Sequence, residues 1–165
     1  MSTLAGRRAA LGVALLLVSG LMILVQKQVY TTSAHVEWPF AAPRNPWQQS
    51  FLWIRANTPK DAIFALDSNY TKVDSEDTQG FRATTARSAL VDELKDGGVV
   101  AIFPELAPRW KTQRDLELGL DRISDQQRIA RLRPAGVTWI LLSADAATEL
   151  NCPYRNTAVA VCMLP

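Results

Sequence analysis

Histidine is all but missing from this 165-residue chain, and cysteine is scarce. His35 is the only imidazole, and Cys152 and Cys162 are the only thiols. A transition-metal site draws on several such ligands held together, so no metal is expected, nor any other cofactor. Beyond residue 44 there is no histidine to act as a base, and Ser88 has no partner base, which removes the usual activation of a serine nucleophile. No glycine-rich phosphate loop, nucleophile elbow, internal repeat or low-complexity tract is present. An excess of positive charge is also lacking. Apart from Arg7, Arg8, Lys27 and Glu37, the chain holds 15 Lys/Arg against 15 Asp/Glu. A neutral domain lacks the basic face that nucleic-acid binding needs, and that class is excluded.

What the chain does have begins with a long apolar run. Ala9 to Val25 is 17 residues without a charge, at the short end of what spans a hydrocarbon core. Arg7 and Arg8 precede it and Lys27 follows. That flank favours a cytoplasmic segment 1–8, a transmembrane helix 9–25, a linker 26–44 and a domain 45–165 outside the cytoplasm. Trp38 and Phe40 in the linker suit the membrane interface. A cleaved signal peptide is the competing reading, with Thr32-Ser33-Ala34 as its only candidate cleavage site. Either way the bulk of the chain leaves the cytoplasm. In an oxidising compartment a Cys152–Cys162 disulfide is favoured over two buried free thiols.

The domain reads as α/β. Asn45-Pro46 opens a helix, with Asn as cap and Pro at the first helical position, and Trp47, Phe51 and Ile54 form its apolar stripe. It ends near Asn57, ahead of Pro59. Strands are expected at 62–66, 88–91, 137–143 and 157–164, with 99–103 either a strand or the start of a buried turn after Gly97-Gly98. One helical turn fits 81–85. Leu116, Leu120 and Ile123 fall at helical spacing from Trp110 onward. Ser124 and Gln127 form a capping box for a further helix carrying Ile129 and Leu132 inward. VTWILLS (137–143) is continuous and rich in branched residues, hence central. The expected fold class is therefore α/β: one N-terminal transmembrane helix, then a small sandwich of four to five short strands with flanking helices.

Four pieces stand in a fixed order: WIRANTPKDAIF, FRATTARSALVD, GVTWILLS and CPYRNTAVAVCML. Together, directly after a membrane span, they resemble the C-terminal extracytoplasmic domain of multi-spanning bacterial membrane proteins, some of them GT-C-type lipid-linked-sugar glycosyltransferases. The resemblance covers roughly residues 47–165 and implies a cytoplasmic (inner) membrane location. In such glycosyltransferases the catalytic acids lie on loops between early spans. This chain has one span and none of those loops, so it reads as a last span and tail without the catalytic half.

Charged residues in the second piece are the candidate ligand-binding set: Arg82, Arg87, Asp92 and Lys95. Guanidinium groups suit a phosphate or carboxylate on an extracytoplasmic glycolipid. The competing reading is that the arginines pair with Asp92 or with carbonyls inside the fold. Asp92, Lys95 and Asp96 stand at the spacing of helix surface ion pairs, which explains them as a solvated cluster without chemistry. Trp47 and Trp139 read as core, while Trp53 and Trp110 are less committed. The expected function is a membrane-anchored extracytoplasmic accessory or interaction module with no catalytic residue of its own. Its expected partners are the lipid bilayer and a multi-spanning membrane protein or glycolipid-handling complex. The alternative is the detached C-terminal part of a GT-C-like glycosyltransferase.

Overall fold

The computed structural model describes residues 2–29, 43, 45–70 and 80–165. The proposed cleavage site, His35, Trp38, Phe40 and most of the acidic loop 67–79 lie outside the described residues. Helix α1 runs over Ser2–Val29, longer than its apolar run. Its apolar window Gly6–Gln26 buries none of its surface in the rest of the protein. At about 1.5 Å rise per residue, a helix of this length exceeds a hydrocarbon core of about 30 Å.

Helix α2 spans Pro46–Asn57. The Asn45 side chain accepts from the Trp47 and Gln48 amides at 2.8 and 3.3 Å, satisfying two of the free N–H groups at a helix start. At the other end, Thr58 returns both its amide and its hydroxyl to the Ile54 carbonyl. Both ends fall where the sequence places them.

Five strands form one mixed sheet: β1 (Ile63–Leu66), β2 (Ser88–Ala89), β3 (Trp139–Ser143), β4 (Tyr154–Arg155) and β5 (Val159–Met163). Their spatial order is β2-β1-β3-β5-β4. The first three are parallel, β5 runs antiparallel to β3, and β4 antiparallel to β5. Strand β3 is central, as its continuous apolar run requires: side chains on both faces meet a core. On one face Phe64, Leu66, Trp139, Leu141, Val159 and Val161 pack with Trp47, Phe51 and Ile54 of α2 and with Phe81. Phe81 opens α3 (Phe81–Thr85). On the other, Ala65, Ile140, Leu142, Ala160 and Cys162 pack with Leu120 and with Leu132 of α6 (Asp125–Leu132). Cys152 and Cys162 are disulfide-bonded, tying the segment before β4 to β5.

Three local expectations are corrected. Gly97-Gly98 does not break the chain but lies inside helix α4 (Glu93–Ile102). Asp92 caps this helix through the Lys95 amide at 3.1 Å, and Glu93 and Asp96 complement the dipole of its first turn. Among the described residues no strand pairs with 99–103, and Phe103 caps the helix before Pro104. Second, the Leu116–Leu120–Ile123 spacing does not belong to one helix. Helix α5 (Ala107–Glu117) stops before Gly119, whose φ of 72° is left-handed; Leu120 is then set into the core by a separate turn, Leu120–Arg122. Third, β2 covers only Ser88–Ala89 of the expected 88–91. The capping box on α6 is complete, with Ser124 and Gln127 satisfying each other's amides.

Candidate functional site

The charged run after Gly80 folds back on the protein. Arg87 is 8% exposed. Its guanidinium donates to the Thr58 hydroxyl (3.1 Å) and to the carbonyls of Arg55 (2.8 Å), Thr58 (2.7 Å), Thr85 (3.3 Å) and Ala86 (3.2 Å). Two of these carbonyls, those of Arg55 and Thr58, lie at the end of α2, where helix carbonyls lack intrahelical partners and favour a cation. Ala86 contributes its carbonyl from a left-handed conformation, φ 52°.

Arg82 forms a fork with Asp96, at 2.7 and 2.8 Å, and also donates to the carbonyls of Ala89 and Leu90 at the end of β2. Asp96 in turn accepts from the Asp92 amide at 2.9 Å. Burial opposes ionisation of Asp96, but the Arg82 hydrogen bond, the Asp92 amide and the Arg82 charge together hold its pKa below the ordinary carboxylate value. Asp92 is buried and accepts from the Tyr70 hydroxyl at 3.1 Å. Burial, then the Asp92 charge and hydrogen bond, push the Tyr70 phenol far up. Arg82 and Asp92 thus belong to one network and Arg87 to a second, and Lys95 gives the Asp92 carboxylate a backbone amide while its own side chain is exposed. The trio Asp92, Lys95 and Asp96 is not a solvated ion-pair cluster, because both carboxylates turn inward to backbone amides, Tyr70 and Arg82.

Glu117 and Arg128 were not singled out from sequence, yet both are 0% exposed. The Glu117 carboxylate accepts from the Leu66 amide (3.1 Å) at the end of β1 and from the Val91 amide (3.2 Å) just past β2. Its carbonyl accepts from the Ser68 amide at 3.4 Å. Burial raises its pKa to about 8, against the pull of the two amides. Arg128 donates to the carbonyls of Leu120 (2.8 Å) and Ala147 (2.9 Å) and pairs with Asp125. Both side chains join segments that the chain leaves far apart.

Beyond the carboxyl ends of β1 and β3 lies a cleft of about 380 Å³ lined by Trp47, Asp67, Tyr70, Asp121, Arg122 and Ser143, among others. Open α/β sheets bind ligands at this end of their strands. Asp67 follows β1 and accepts from the Asn69 amide at 2.9 Å. Asp121 accepts from the Ser143 amide at 2.8 Å. Burial raises the Asp121 pKa, with the charges of Asp67 and Asp145 adding to it and the Ser143 amide opposing it. Trp47 and Tyr70 meet with ring centroids 5.8 Å apart. The cleft thus presents acceptors and one guanidinium from Arg122. Its hydroxyls are engaged elsewhere, since Ser143 donates to Asp145 and Tyr70 to Asp92. Among the described residues no cluster of His, Cys, Asp and Glu is suited to a metal ion.

A different surface is apolar. Val99, Ile102, Phe103 and Leu106 are 45%, 73%, 50% and 43% exposed. Leu106 lies in the turn Pro104–Leu106 that joins α4 to α5. Val99 and Leu106 also edge a groove of about 230 Å³ that includes Trp110 and Arg109.

No family model, curated protein or solved structure matches the chain.

Proposed function

We propose that the protein is a membrane-anchored, non-catalytic binding module whose α/β domain works outside the cytoplasm. The carrying observation is helix α1: a 21-residue apolar window, Gly6–Gln26, that buries nothing against the domain it is joined to. Apolar surface of that extent needs a cover, and a bilayer covers it without any demand on the domain's core. The Cys152–Cys162 disulfide supports the oxidising side of that membrane.

The use made of polar groups supports binding over catalysis. Glu117 holds two amides, Arg87 holds carbonyls at the end of α2, and Tyr70 and Ser143 donate to aspartates. Such groups are committed to the backbone or to each other, and the cleft beyond β1 and β3 is the surface left for a ligand. The motif resemblance to tails of multi-spanning membrane proteins points to a protein of that kind as the module's partner.

The test is sidedness combined with capture. In spheroplasts of a producing bacterium, protease added outside should digest the domain while a tag ahead of Arg7 stays protected. Crosslinking in native membranes should recover an integral membrane partner. Protection of the domain, or turnover of a glycan or lipid-phosphate substrate by the purified chain, would overturn the proposal.

A further inference from the structure

Outside α1, seven large apolar side chains are prominently exposed among the described residues, and four of them fall in one stretch: Val99, Ile102, Phe103 and Leu106. Val99 and Ile102 stand three apart on α4, and Phe103 and Leu106 follow in the cap and the turn that end it, so the four form one continuous exposed apolar stretch. The stripe runs through the end of α4 into the turn Pro104–Leu106 and continues into the groove beside Trp110. Trp110 is half-buried, with the Arg114 guanidinium 5.6 Å from its ring centre.

Charge at the rim favours a lipid surface as the cover. Between Gly97 and Lys111 the charged residues are Glu105, Arg109 and Lys111. All three are exposed, as is Lys95 one turn before Val99. The nearby acids Asp96 and Glu93 are already paired with Arg82 and Arg114. An apolar stripe flanked by lysine and arginine, with a tryptophan beside it, is the composition that settles into the headgroup region of an anionic bilayer.

Chain length brings the stripe within reach. From Val29 at the end of α1 to Asn45 at the start of α2, an extended chain spans at most roughly 55 Å. A domain so tethered meets the membrane as an intramolecular partner, so a small intrinsic affinity is enough for docking.

We infer that the α4–α5 face, through Val99, Ile102, Phe103 and Leu106, lies on the bilayer surface and orients the domain. This rests on the anchored reading of α1. It leaves the cleft beyond β1 and β3 as a separate surface, lined by residues that take no part in the stripe.

The experiment uses the full chain in phosphatidylcholine–phosphatidylglycerol vesicles. Because the two native cysteines are bridged, an added cysteine takes an environment-sensitive fluorophore selectively. Three variants are labelled: Leu16→Cys in α1, Ile102→Cys on the stripe and Ala130→Cys on the exposed side of α6. Lipids bearing a nitroxide near the headgroup quench probes at the surface, and lipids bearing it along the acyl chain quench buried ones. The expected result is quenching at positions 16 and 102, a blue shift at 102, and no quenching at 130. Adding Phe103→Asp to the Ile102→Cys variant should abolish quenching at 102. If 16 is quenched and 102 is not, the docking face is overturned while the anchor stands. Equal quenching at 102 and 130 also overturns it, as does a blue shift at 102 without quenching, the mark of a protein cover. If 16 is not quenched, the anchor falls and the docking face with it.

Discussion

Arg87 donates twice to Thr58, from Nε to the hydroxyl at 3.1 Å and from Nη2 to the carbonyl at 2.7 Å. One guanidinium therefore closes α2 onto the α3–β2 turn, across 29 residues of sequence. Replacing it takes this donor from the buried Thr58 and Thr85 carbonyls. Arg87→Ala is expected to destabilise the domain by on the order of 3 kcal/mol, read as a lower urea midpoint. Arg87→Lys, which keeps the charge but not the planar fork, should recover only part of the loss. A variant as stable as the parent would show that the residue is free to serve a ligand.

Glu117 gives the domain a pH dependence of definite sign. Its folded pKa, about 8, lies above the ordinary 4.5, so the folded state holds a proton that the unfolded state has released. The stabilisation is fully present below 4.5 and is lost as pH rises through 8. Glu117→Gln can accept from only one of the two amides and turns a donor toward the other. The variant should be less stable than the parent at pH 5, and the gap should narrow by pH 9. Urea midpoints of both proteins across that range check it; a gap that stays constant with pH would contradict it.

The position of Gly98 inside α4 makes a stabilising substitution available. A Cβ built there meets no heavy atom within 4 Å, and its φ is not among the positive values. Gly98→Ala should therefore raise stability by about 0.5–1 kcal/mol. The result expected of a turn glycine, a loss, would contradict the helix.

The disulfide closes a loop with a sequence separation of 10 residues. The chain-entropy model gives a loop of that size roughly 3 kcal/mol of stabilisation. Cys152→Ser with Cys162→Ala should lower the denaturation midpoint accordingly while leaving the fold's circular dichroism intact at low temperature. No change in midpoint would mean the bridge adds nothing to the β4–β5 region.

The features legible in the sequence were those decided by near neighbours. Asn45 caps amides two and three residues away, Ser124 and Gln127 exchange bonds across one turn, and the run 139–143 announces a strand buried on both faces. Gly97-Gly98 misled because local propensity points to a break. The cap from Asp92 decides for helix, and among the described residues no strand pairs with this segment. The run around Leu116 misled in the opposite direction, because Gly119 interrupts a periodicity that continues on either side.

The least legible residues were the buried ionisable side chains. Glu117 reaches amides 51 and 26 positions away, and Arg128 reaches a carbonyl 19 positions on. Nothing within one turn of either residue separates it from the surface charges around it. The cleft shares that origin: Asp67 and Asp121 meet only because β1 and β3 lie side by side.

The central claim is that α1 stays attached and holds the domain at a membrane. Its most direct test is intact mass on membranes washed at alkaline pH. For the chain expressed from Met1 to Pro165 the expected result is the full 18.2 kDa, retained in the membrane pellet. A soluble chain whose mass begins at His35 would contradict it.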